Sequence, residues 1–273
     1  MHKRDLLLLK QINNYFGGFG QIYNNGEDGV LLDINYREGL KQIINHLDKY
    51  PLISQKKADF ELFKLAVEII SRAKEHLSLK GLQQLVSIRA SMNKGLPNEL
   101  NNAFPNIKPV QRPTIEFKGI PDPHWVAGFV DGEGCFFVSV VNSLASKLGV
   151  SVSLEFTVTQ HSRDEELINS FINYLGCGRM KPDRRFPAVY FVVSKFSDVT
   201  DKIIPFFNKY PLQSVKSFDY ENLCKVAEIM KVKGHLTPKG LQQTRKIKSE
   251  MNKSNDSSNR LRGTNKIKNH QCT

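Results

Sequence analysis

Acidic residues are scarce beside basic ones: 27 Asp and Glu stand against 39 Lys and Arg in 273 residues, a formal net charge of +12. Lys and Arg supply most non-specific affinity for nucleic acid by neutralising phosphates, so the excess favours a polyanionic partner over a merely solvated basic surface. Long apolar runs are missing. None approaches the about 18 residues of a membrane span, and no membrane partner is expected. The basic start Met1-His2-Lys3-Arg4 is followed by an apolar run, Leu6–Leu9, too short for a signal peptide core, and no targeting peptide is expected. Cysteine is rare: Cys135, Cys177, Cys224 and Cys272 form no CxxC. That argues against a zinc site and for unpaired thiols in a reducing compartment. The chain is then either cytosolic or made where it works. Its many Asn, Lys, Ile and Phe residues suggest an AT-rich coding genome, and hence an organelle such as the mitochondrion.

What is present is a long repeat. Tyr50-Pro51-Leu52 returns as Tyr210-Pro211-Leu212, and Ser54, Lys56 and Asp59 return as Ser214, Lys216 and Asp219 at the same offset. Lys80-Gly81-Leu82-Gln83-Gln84 returns as Lys239-Gly240-Leu241-Gln242-Gln243 after a one-residue deletion. The period is too long for a solenoid and points to two similar halves. Residues 1–95 repeat 160–252. Each copy reads as helix, Gly-rich turn, two strands and further helices, with Ser78 and Thr237 as helix N-caps and Pro238 at the first helical position. Gly17-x-x-Gly20 precedes a strand instead of following one, so it is a tight turn and not a dinucleotide fingerprint. Residues 96–123, Pro- and Asn-rich, read as a semi-rigid linker. The polar, basic residues 254–273 read as a disordered tail.

The chain is organised around Trp125-Val126-Ala127-Gly128-Phe129-Val130-Asp131-Gly132-Glu133-Gly134. It follows the break Pro121-Asp122-Pro123, so a helix starts near His124 with a proline at its entry. Its small residues permit close approach of a second backbone. Gly132 and Gly134 permit a left-handed exit. A carboxylate at a helix C-terminus opposes the dipole and calls for a compensating cation. Cys135–Val141 then reads as a strand. A small-residue packing helix with two solvated carboxylates is the plainer reading.

Val126–Gly134 resembles the signature of the LAGLIDADG homing endonucleases. Ala127, Gly128, Asp131 and Gly134 match outright, Phe129 and Val130 are similar in kind, and Glu133 replaces the family's second Asp. The resemblance implies an α+β fold of two pseudo-symmetric αββαββα half-domains, with saddle-shaped antiparallel sheets packed under helices. It implies site-specific hydrolysis of double-stranded DNA by a monomer, driven by Mg2+ or another divalent cation. It places Glu133 at the metal as the direct ligand, with Asp131 beside it in the metal set as the group that caps or orients. Gln160 would stand near the water network, and Lys216 and Lys56 near the scissile phosphate. Ala127, Gly128 and Gly132 would form the helix-packing seam. With period-two alternation, Cys135, Phe137, Ser139 and Val141 face DNA, with Ser151, Ser153 and Thr157 from the next strand. Arg179, Lys181, Arg184 and Arg185 would touch phosphate or guanine.

His2-Lys3-Arg4-Asp5 matches His161-Ser162-Arg163-Asp164, and Glu133 lies 27 residues before Gln160. A partner acid is therefore expected upstream of Met1, in a chain whose first half is incomplete: 1–95 a partial half-domain, 124–253 a complete one. Two rival readings keep the fold: an RNA maturase acting on intron RNA, and a non-catalytic DNA-binding remnant.

Overall fold

The computed structural model describes residues 1–72 and 75–251; the tail expected over 254–273 lies outside them, as does Cys272. The chain divides into two compact units. One is Leu9–Gly119, and the other joins Met1–Leu8 to the residues from Ile120 onward. The architecture is α+β, with helices and two antiparallel sheets. Among the described residues no helix is long and apolar enough to cross a membrane.

Into the unit Leu9–Gly119 runs α1 (Leu6–Tyr15), followed by β1 (Gln21–Asn25), β2 (Gly29–Asp33), α2 (Arg37–Lys49), α3 (Lys56–Ser71), α4 (Leu79–Ser91) and the short α5 (Asn98–Ala103). The Gly-rich segment is a turn, with Gly17 and Gly18 at φ of 87° and 74°. Asn13 locks it through paired hydrogen bonds with the Gly20 backbone, at 2.8 and 3.0 Å. Ser78 caps α4 by accepting from Gly81 N at 3.0 Å, as its position requires. Leu62, Ile69 and Ile88 join α3 to α4 in one apolar cluster. The Pro-rich stretch after α5 is strapped to this unit, since Val110 packs against that cluster. Arg112 forks onto Asp59 at 2.6 and 2.9 Å and donates to the Ser91 carbonyl.

The other unit contains α6 (Pro123–Glu133), β3 (Gly134–Asn142), β4 (Val150–His161), α7 (Glu165–Leu175), β5 (Arg179–Pro182), β6 (Ala188–Val193), α8 (Phe196–Asp198), α9 (Ile204–Lys209), α10 (Lys216–Lys231) and α11 (Pro238–Glu250). Between α8 and α9 the chain widens into a π-type turn at Val199–Ile203. Pro205 has no N–H to donate into the preceding turn, and the widened turn absorbs that loss. Thr237 caps α11 through Gly240 N at 3.1 Å, with Pro238 at the first position.

The four strands lie in the order β3-β4-β6-β5, all antiparallel. One face is fully buried: Phe136, Phe156 and Phe191 alternate inward with Val138, Leu154 and Val158. Their rings meet each other and Phe207 of α9, with Phe136–Phe156 stacked at 5.1 Å and Phe156–Phe207 edge-on at 5.5 Å. Aromatic area of this kind dominates core energetics, and the geometry is the one ring quadrupoles favour. The other face of the sheet is left for the site.

Candidate active site

The motif helix α6 begins as its sequence requires. Asp122 accepts from His124 N at 2.7 Å, and Pro123 fills the first turn, where its missing donor costs nothing. Val126, Ala127 and Val130 are buried in the unit's own core. Gly128 and Gly132 instead meet open space, with nothing within 4 Å of a Cβ built on either. Ala127 thus packs inward, and the open small-residue face belongs to the two glycines. The left-handed exit permitted by the sequence is not used, since Gly134 is extended at φ −81° and ψ 161°. Space explains the glycine there: a Cβ would stand 2.5 Å from Val130 Cγ1 and 2.9 Å from its carbonyl oxygen.

The end of α6 and the start of α10 cap each other. Asp131 Oδ2 accepts from Gln213 N at 2.9 Å, and Oδ1 accepts from Ser214 N at 3.0 Å and from Ser214 Oγ at 2.5 Å. In return Lys216, the first residue of α10, donates from Nζ to the carbonyls of Gly132 at 2.8 Å and Val130 at 3.2 Å. A carboxylate thus meets the positive end of one helix dipole and an ammonium the negative end of the other. The compensating cation demanded by acids at a helix C-terminus is Lys216 itself. Burial pulls the Lys216 pKa down, and the carboxylates of Glu133, Asp131 and Asp5 only partly offset it, so the group loses its proton below the usual lysine range. Burial pushes the neighbouring Cys135 thiol up to about 12, which keeps it protonated.

This arrangement bears on the expected metal residues, Glu133 and Asp131. Both Asp131 oxygens are engaged by backbone and hydroxyl donors, so Asp131 is a cap. Glu133 is exposed at the last position of the helix. Among the described residues no cluster of three or more metal-ligating side chains occurs. The pairing Gly134↔Val158 carries β4 past the start of β3, so Gln160 reaches the end of the sheet at which Glu133 stands. Its Oε1 accepts from His161 N at 3.0 Å. Lys56 is exposed at the first position of α3, in the unit Leu9–Gly119.

The face of the sheet away from the phenylalanines follows the expected alternation. Cys135, Phe137 and Ser139 are half-buried, and Val141, Ser151 and Ser153 are exposed. Thr157 departs from it. It lies on an inner strand between Cys135 of β3 and Val192 of β6, and those neighbours leave it 8% exposed. Arg179 and Lys181 pair with Val192 and Tyr190, so they share this face, and both are exposed.

Local spacing did not reveal Asp183, Tyr190, Ser214 or Asp5. Asp183 accepts from Arg185 N at 2.7 Å and Phe186 N at 3.1 Å, and Tyr190 donates its hydroxyl to it at 2.8 Å. Those donors hold the Asp183 carboxyl below the usual range. The turn so formed presents Arg184 and Arg185 to solvent. The signal was legible in principle, since Pro182-Asp183-Arg184 is an Asx-turn sequence.

Comparison with known proteins gives the family and the fold. A family model described as LAGLIDADG endonuclease matches residues 1–67 and 126–227. A probable intron-encoded endonuclease of Neurospora crassa is 40% identical over 243 residues, which cover 88% of this chain and 45% of that relative. A second relative from the same fungus is 34% identical over 92% of this chain and 56% of its own length, so the chain spans about half the length of the curated relatives it matches. The homing endonuclease I-SmaMI, solved with cleaved DNA, is 45% identical and superposes with a TM-score of 0.91 over 93% of this chain and 84% of that one. The same enzyme has been solved on uncleaved target DNA with calcium ions, at a TM-score of 0.90. The chain belongs to the LAGLIDADG endonuclease family.

Proposed function

We propose that this chain serves site-specific hydrolysis of double-stranded DNA, with Glu133 holding a divalent cation, Mg2+ in the cell, against the scissile phosphate. The observation that carries the reading is the exposed Glu133 carboxylate at the end of a helix pinned by reciprocal caps, at the rim of a sheet face bearing Arg179 and Lys181. A hard cation retains waters and takes substrate phosphate oxygens, so one free carboxylate fits a cation shared with DNA. Such a cation supplies Lewis-acid stabilisation of the phosphate charge.

The chain's own groups do the rest. Hydrolysis adds water across the phosphodiester: the P–O3′ bond breaks, a new P–O bond forms, and the 3′ oxygen takes a proton. Two of the three Lys216 ammonium protons are committed to carbonyls, and the third remains for a phosphate oxygen. Gln160 accepts from His161 N and keeps its amide donors for orienting water. Arg179, Lys181, Arg184 and Arg185 neutralise backbone phosphates along the duplex. Ser139, Ser151 and Ser153 offer hydroxyls that donate and accept toward base edges in a major groove. Lys56 stands at the start of α3 as Lys216 stands at the start of α10, and takes the equivalent phosphate role. The fungal intron-encoded relatives and the Asn-, Lys-, Ile- and Phe-rich composition favour an intron of a mitochondrial genome as the coding site.

The test is Mg2+-dependent cleavage of an intronless target library by the parent chain and by Glu133→Gln. The variant is expected to lose more than about 100-fold in rate, the scale of one lost charge-stabilising group, while still binding DNA. Equal rates would remove Glu133 from the reaction. Salt-dependent binding without cleavage by the parent would leave a binding protein.

A further inference from the structure

The start of α10 has four consecutive backbone N–H groups to satisfy. Gln213 N and Ser214 N go to Asp131, and Lys216 N goes to Ser214 Oγ at 3.2 Å. The fourth, Val215 N, donates to Asp5 Oδ1 at 2.9 Å. Val215 holds the N-cap position and has no side chain able to cap. A carboxylate from more than two hundred residues earlier in the chain therefore does what a local Ser or Asp would do. Asp5 belongs to the same compact unit as α10, within Met1–Leu8.

We propose that Asp5 is a positioning residue of the nuclease site, holding the first turn of α10 so that Lys216 stays on the Val130 and Gly132 carbonyls. This rests on the reading of Lys216 as a phosphate ligand. The Asp5 carboxylate is itself prearranged. His2 Nδ1 accepts from Arg4 N at 3.1 Å, and Asp5 N donates to the His2 carbonyl at 2.9 Å, which fixes the short turn Lys3–Asp5. The turn is written in the sequence: His161 Nδ1 accepts from Arg163 N at the same 3.1 Å, one repeat later. Two carboxylates from separate segments, Asp5 and Asp131, converge on one helix start, where negative charge is favoured. Asp5 also counts among the acids that offset the burial of Lys216. Loss of Asp5 leaves one N–H of the turn without its acceptor and loosens the residue next to it, Lys216. The motif helix then loses its cation cap from a distance, although no group that touches DNA has changed.

Asp5→Ala removes both acceptor and charge, and Asp5→Asn keeps an acceptor oxygen. Single-turnover cleavage at saturating enzyme is read beside duplex affinity and beside amide hydrogen exchange over residues 213–216. Asp5→Ala is expected to cleave about tenfold more slowly, the size of one lost helix cap. Its duplex affinity should stay within about twofold and its exchange protection at Val215 should be lost, while Asp5→Asn recovers most of both rate and protection. Unchanged protection in Asp5→Ala, a rate loss matched by lost affinity, or no recovery in Asp5→Asn would overturn the assignment. A parent chain that cleaves no DNA while Asp5→Ala still loses protection would sink the nuclease reading and the positioning role together, and leave Asp5 a structural cap.

Discussion

The repeated hairpin appears twice with two fates. In one unit β1 and β2 pair with each other and, among the described residues, with no third strand, and Leu32 and Ile34 are half-buried. In the other, β6 of the corresponding hairpin pairs with β5 on one side and β4 on the other, and Phe191 and Val193 are 0% and 1% exposed. The neighbouring strand, more than the hairpin's own residues, decides whether such a hairpin is core or surface. The two lysines repeat the lesson. Lys56 and Lys216 begin equivalent helices, yet Lys56 is exposed and Lys216 is half-buried against the carbonyls of α6.

That contrast can be broken by substitution, beginning with the core. Phe156→Ala deletes a fully buried ring and should cost about 3–5 kcal/mol, whereas Tyr23→Ala should stay within about 0.5 kcal/mol. Denaturant titration reads both, and similar costs at the two sites would mean that β1–β2 is covered in solution. Lys216→Met should next lower the cleavage rate by about 10²–10³-fold if its third proton meets the phosphate. Its effect on stability should exceed that of Lys56→Met, since only Lys216 caps a helix end in its own unit. The pH profile sharpens the same point. A lysine whose pKa is lowered loses its charge earlier as pH rises, so cleavage should decline on the alkaline side before an exposed lysine would titrate. Lys216→Arg stays charged, so its remaining activity should not show that decline. The smallest effect belongs to the sheet face. Replacing Arg179 and Lys181 by Ala should flatten the log K against log salt slope by about two, near 0.9 for each phosphate no longer neutralised.

Much of this was legible in the residues. Pro123 and Asp122 announce the start of α6, period-two spacing separates Phe136 from Phe137, and the repeat aligns Lys56 with Lys216. What local spacing could not show was who partners whom. Asp131 and Gln213 are 82 residues apart, and Asp5 and Val215 are 210 apart. Such pairs leave no periodic trace, so a capping role for Asp131 can be read from its place at the helix end, but the donors it meets cannot. Thr157 fails for a related reason: alternation gives its face, but only the strand order reveals neighbours on both sides. Gly134 reads as a left-handed exit until the Val130 side chain is seen to fill the space beside it.

The reciprocal cap between α6 and α10 is the centre of the account, and a double-mutant cycle on Asp131→Asn and Lys216→Met tests it most directly. Unfolding free energies of the two single variants and the double variant should show coupling of about 1 kcal/mol or more, because each substitution loosens the turn that the other residue holds. Effects that add within about 0.5 kcal/mol would mean that the two caps act independently and that no single unit holds Glu133 in place.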